Sequence, residues 1–145
     1  MAEVSLNVEA PIGAVWSVLA DGWSYAGWVV GASHIRDVDT GWPKCGTRIH
    51  HSVGPWPLVI QDTTEVVRCE PGQLLELDAR LWPAGAARIT FTLRPRSESI
   101  THVHMAERVV RGPSTILPAF VQDMLLIPRN KETLRRLDAL ARGRS

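Results

Sequence analysis

The chain has little of what most covalent chemistries require. Its two cysteines, Cys45 and Cys69, are too far apart for a CxxC motif and in a reducing compartment read as free thiols. There is no glycine-rich phosphate loop and no GxSxG nucleophile elbow, so serine or cysteine catalysis has no support. Neither sign of charge dominates. Sixteen basic side chains oppose fifteen acidic ones for a net +1, with a pI near 7.9, which gives no overall electrostatic reason to expect a nucleic-acid or membrane partner. No apolar run approaches the length that spans a bilayer, and the opening "MAEVSLNVEAP" lacks the basic-then-apolar layout of a signal peptide. A cytoplasmic protein without integral membrane association is expected. The one local excess is six basic against two acidic residues between Arg129 and Arg144, which reads as a solvated helix face. Oligomeric state is not legible.

The length of 145 residues, 45% hydrophobic, suits one domain (1–145) with a core large enough to hold a cavity. Val4, Leu6 and Val8 alternate with polar neighbours, the period of a half-buried strand. Pro11 then opens a helical pattern through Ile12, Val15, Trp16 and Leu19, and a short second helix or turn through Trp23, Tyr25 and Trp28 follows. Six strand-like segments succeed it, at about 32–39, 46–53, 58–69, 73–82, 86–95 and 98–110. They are separated by turn chemistry at 41–46, 54–57, 70–72, 83–85 and 96–98, as in an antiparallel meander. After "GPS" at 112–114 the period becomes helical. Leu117, Phe120, Val121, Met124, Leu125, Leu134 and Leu137 form a stripe, which Pro128 should kink or break near Ile127. The expectation is that Leu117, Phe120, Val121 and Met124 cover the apolar face of the sheet.

Parity assigns the inward residues. Leu75, Leu77, Ala79 and Leu81 share one face of their strand, as do Ile89, Phe91 and Leu93, while Thr101, Val103, Met105, Glu107 and Val109 leave His102 and His104 outside. The pair His50-His51 sits in "RIHHSVG", where His51 shares parity with Ile49 and Val53. Leu58, Ile60, Asp62, Thr64 and Val66 face the same way on the next strand. His51, Asp62 and Glu107 are thus ionisable residues on an apolar face, and desolvation makes such residues costly unless they are paired or line a polar cavity. Asp62 is the expected partner of His51. Glu107, close to the strand's end, is expected either to be half-exposed or salt-bridged, for instance to an arginine, or to face an apolar wall unpaired as a proton donor.

No metal centre is expected. His50 and the His102-x-His104 pair share the outer face but lie four strand spacings apart, about 19 Å at 4.8 Å each. No cofactor is called for either. Six tryptophans in a chain with two phenylalanines and one tyrosine are distinctive. Trp16 reads as core, whereas Trp23, Tyr25 and Trp28 suit either the core or the rim of a cavity for a flat or apolar ligand.

The segments "APIGAVWSVLAD" and "YAGWVVG", then "HHSVG", "LELDARLWP", "THVHMAE" and "RGP" before the last helix, resemble in order and spacing the START-like helix-grip (SRPBCC) superfamily. Within it they resemble the polyketide cyclase/dehydrase and lipid-transport group shared with plant pollen allergens. The resemblance implies an α+β helix-grip fold: a curved seven-stranded antiparallel sheet wrapped around a long C-terminal helix, with two short helices between strands 1 and 2 and a cavity inside. Members include aromatase/cyclases and carriers of lipids or quinones, and the group has no universal catalytic motif. The leading expectation is a module that binds a small, largely apolar ligand through Trp23, Tyr25, Trp28, His51, Asp62, Phe91, Met105, Glu107, Phe120 and Met124. The alternative is an enzyme using His51 or Glu107 as general acid/base for cyclisation or dehydration of a β-keto substrate.

Overall fold

Seven strands form one antiparallel sheet: β1 (Ala2–Val8), β2 (Ala32–Val38), β3 (Arg48–Val53), β4 (Ile60–Glu70), β5 (Leu74–Leu81), β6 (Gly85–Pro95) and β7 (Thr101–Arg111). The computed structural model describes the chain except residues 31, 54–59 and 82–84 and the side chains of 32, 33, 53, 60, 61, 81 and 114. Leu58, expected to face inward, and the turn residues at 54–57, 83 and 84 lie outside the described residues, as do the side chains of Val53, Ile60 and Leu81.

The strand order β1-β7-β6-β5-β4-β3-β2 is a meander from β2 to β7, with β1 added beside β7. Between β1 and β2 lie α1 (Ile12–Leu19), a 3₁₀ turn at Gly22–Ser24 and α2 (Tyr25–Trp28). A second 3₁₀ turn, Pro113–Ile116, precedes the long α3 (Ala119–Gly143). Among the described residues no helix is long and apolar enough to cross a membrane.

The inward parity read from the sequence holds for most of β3 to β7. Ile49, His51, Thr64, Val66, Leu75, Leu77, Ile89, Phe91, Leu93, Val103, Met105 and Glu107 are buried, whereas Asp62, Ala79 and Val109 on the same faces are half-buried and the outward Ser52 is buried. Gly85, at the start of β6, has φ +124°, and a Cβ there would overlap the Arg111 carbonyl, so only glycine lets β6 begin so close to the end of β7.

Two expectations about the last helix are corrected in whole or part. Pro128 does not break the helix, which is continuous from Ala119 to Gly143, and the residue lies on the exposed side. The cost of about 3 kcal/mol for an interior proline is carried by the packing of the turns that follow it. The buried residues of α3 are Asn130, Thr133, Leu134, Leu137 and Ala141, whereas Leu117, Phe120 and Met124 are exposed and Val121 is half-buried. Phase explains this. At 3.6 residues per turn the five buried residues occupy about 100° of arc around Leu137, and Phe120 and Met124 lie roughly 100° and 140° away from it. The apolar stripe of the first turns is a different face from the one that grips the sheet.

Candidate ligand-binding site

The interior site forms where α2 and the middle of α3 look onto the apolar face of β3, β4, β6 and β7. Tyr25 and Trp28 are three residues apart on one helical turn, so both rings point at the sheet, and both are buried. The Trp28 ring meets Phe91 edge-on at 5.5 Å between centroids and meets Tyr25 likewise at 5.5 Å. Tyr25 in turn stacks on His51 at 5.9 Å with the planes 17° apart. The end of α2 is tied to α3 where the Val30 amide donates to Thr133 Oγ1 at 3.2 Å.

A polar chain runs through this aromatic cluster. His51 Nε2 lies 2.8 Å from Thr64 Oγ1, and the Tyr25 hydroxyl lies 3.5 Å from the same oxygen. Asp62, the expected partner of His51, sits directly across from it in the strand register, but the imidazole bonds to Thr64. One Asp62 carboxylate oxygen accepts the amide of Thr63 instead. Burial holds the His51 pKa below the usual imidazole value, and the charge of Asp62 only partly offsets it. His51 is therefore a neutral imidazole at neutral pH. Burial likewise pushes the Tyr25 phenol up, with the Glu107 charge adding to it and Thr64 and Arg129 opposing.

Glu107 does not face an apolar wall unpaired. Arg129 Nη2 donates to both its oxygens, at 2.7 and 2.8 Å, and Asn130 Nδ2 donates to Oε1 at 2.9 Å. The salt bridge to an arginine is the arrangement found. Arg129, Asn130 and Thr64 were not among the expected site residues. The spacing of Asn130, Thr133/Leu134, Leu137 and Ala141 is a helical face that extends the two leucines, and it was the available signal.

Three buried polar atoms in this region have no hydrogen-bond partner among the described residues: Trp28 Nε1, His51 Nδ1 and Asn130 Oδ1. Of the other expected residues, Met105 is buried beside Phe91 in the β6–β7 register, while Trp23, Phe120 and Met124 are exposed and stand outside the interior. A separate surface concavity of about 540 Å³ lies at the turn end of β4–β6, lined by Ile12, Glu70, Gly72, Leu74, Thr92 and Arg94, and contains none of the expected residues.

No family model matches the chain, and no curated protein does. Solved structures do. The Zhui aromatase/cyclase from Streptomyces sp. R1128 aligns with a TM-score of 0.73 at 16% identity, over 99% of this chain and 93% of that one. A START superfamily protein from Mycobacterium smegmatis aligns with a TM-score of 0.73 at 12% identity, over 99% and 98%. The chain has the START-like helix-grip fold. The di-domain ARO/CYC StfQ from the steffimycin biosynthetic pathway matches over half its length, with a TM-score of 0.70 and 13% identity across 98% of this chain. At such identities the likeness is one of helix-grip architecture, and what each relative does belongs to that relative.

Proposed function

We propose that this helix-grip protein binds a small, largely apolar ligand of lipid, polyketide or aromatic type between the apolar sheet face and α3. The observation that carries this reading is the combination of an aromatic and aliphatic lining with three buried polar atoms that are unpaired among the described residues. Buried polar groups are almost always hydrogen-bonded, so three in one region are handles for a guest. The Trp28 indole N–H can only donate, Asn130 Oδ1 only accepts, and His51 Nδ1 does either according to its tautomer. A guest carrying both an oxygen acceptor and a hydroxyl donor on an apolar frame satisfies them. The architectural likeness to an aromatase/cyclase agrees with that chemistry.

The test is native mass spectrometry of protein purified from its own host, followed by displacement of bound anilinonaphthalene sulfonate with a hydroxylated anthraquinone and with palmitate. A noncovalent adduct or displacement by either supports binding. Trp28→Phe keeps an aromatic ring against Phe91 but removes the donor, and should weaken affinity more than stability. No adduct and no displacement would sink the proposal.

A second reading, polyketide cyclase/dehydrase-type catalysis, is favoured by one feature. His51 is held neutral with Nδ1 unpaired among the described residues and Tyr25 stacked on it, the state a general base needs. Glu107 is the weaker candidate for acid/base work, because its oxygens are engaged by Arg129 and Asn130. Turnover of a cyclisable β-keto thioester, abolished by His51→Ala with ligand affinity retained, distinguishes this reading from simple binding.

A further inference from the structure

We propose that the outer face of the first half of α3, with the turn before it, docks onto an anionic lipid bilayer. Ile116 is 84% exposed, Phe120 67%, Met124 71% and Leu125 64%. Single exposed apolar residues need no explanation, but a contiguous patch does. At 3.6 residues per turn Phe120, Val121, Met124 and Leu125 fall within about 140° of arc, so they form one stripe. This stripe is not the face that covers the sheet, which comes from Asn130 onward.

Charge selects the occupant. On the same side of the helix, Lys131 and Arg135 lie about 20° and 60° round from Phe120, and the helical rise puts Lys131 about 10 Å beyond Met124. That separation matches a helix whose apolar turns enter the acyl boundary while its cations stay among the headgroups. Both side chains are exposed, Lys131 has no ion pair among the described residues, and the nearest carboxylate to Arg135 is Glu132 at 3.9 Å. The carboxylates on that side are already engaged, Glu132 by Arg135 and Arg136 and Asp138, at the azimuth of Phe120, by Arg142 at 3.0 Å, which leaves the Lys131 ammonium as the cation without a partner among the described residues. A second copy of the chain would bring two such cationic faces together, whereas an anionic bilayer complements the face in both apolarity and charge.

The experiment is co-sedimentation of the full chain with phosphatidylcholine vesicles, with and without about one third phosphatidylserine. The mixed vesicles should bind the protein and the pure ones hardly at all, with binding weakened by added salt. Phe120→Asp with Met124→Asp should reduce binding at least about tenfold, and Lys131→Glu with Arg135→Glu should also reduce it. All four positions are exposed, so an unchanged circular-dichroism melt confirms that the variants fold. Absence of binding to the mixed vesicles, equal binding to both kinds, or binding undiminished by the double aspartate variant overturns the proposal. So does lipid-free self-association that the same variant removes, which would assign the face to a second copy.

Discussion

Removing the guanidinium of Arg129 is the sharpest test of the interior. Glu107 is 4% exposed along its side chain and receives three hydrogen bonds, two of them from Arg129. Arg129→Ala strips both charge-assisted bonds and leaves the carboxylate with Asn130 alone. Truncating one partner of a buried ion pair costs about 3–5 kcal/mol. Arg129 is itself 34% exposed, so solvent screens part of the pair and the lower end, about 3 kcal/mol, applies. For a domain of this size that is a melting-temperature drop of roughly 6–12 °C. In a Glu107→Gln background the same truncation removes a hydrogen bond to a neutral amide, worth only about 1 kcal/mol. Urea melts of the four proteins should therefore give a coupling energy of about 2 kcal/mol. A coupling below about 0.5 kcal/mol would show that the pair does not hold the middle of α3 to β7.

Three more outcomes follow from particular atoms. Tyr25 is the sole tyrosine, so absorbance near 295 nm follows it alone; because burial raises its pKa, the midpoint should lie above 10, and a midpoint at or below 10 would refute the buried placement. His51 has a lowered pKa in the folded chain, so the unfolded chain binds more protons as pH falls below 6.5. Its contribution to stability is full above that pH and declines as pH drops through the folded value; His51→Leu should flatten this part of the stability profile measured by urea melts. Gly85→Ala forces a Cβ onto the Arg111 carbonyl at positive φ and should destabilise by about 2 kcal/mol or more, against about 0.5 kcal/mol for an unremarkable surface change, read by thermal denaturation.

The sheet was legible because its signal is local. Alternation along β6 and β7 assigns Phe91, Met105 and Glu107 to the interior without knowledge of their neighbours, and the same parity separates His51 from His50. Partner choice was less legible. His51 and Asp62 are correctly placed across from each other, yet Thr64, two residues further along the same face of β4, takes the imidazole. Which of two neighbours a ring reaches depends on rotamers, which parity does not encode. The helix was least legible. Its composition shows apolar residues from Leu117 to Leu137 but not that the sheet selects the phase of Leu134 and Leu137, because that choice depends on where β1, α1 and α2 leave room. Arg129 and Asn130 went unnoticed for the same reason.

The pairing of the first strand with the last sets a timetable for folding. Every neighbouring pair from β2 to β7 is joined by a hairpin connection, while the β1–β7 partners lie 93 to 105 residues apart in the chain. Closing a loop of that length costs about 3 kcal/mol more than closing a four-residue turn. During synthesis at about 5–20 residues per second, β1 emerges roughly 5–20 s before its partner exists. Until then Val4 and Val8 have no strand beside them, and once β7 has formed its free edge stays open to any other strand until β1 arrives. The hydrogen bonds between β1 and β7 are thus the last of the sheet to form, and the nascent chain is most exposed to mispairing just before they do.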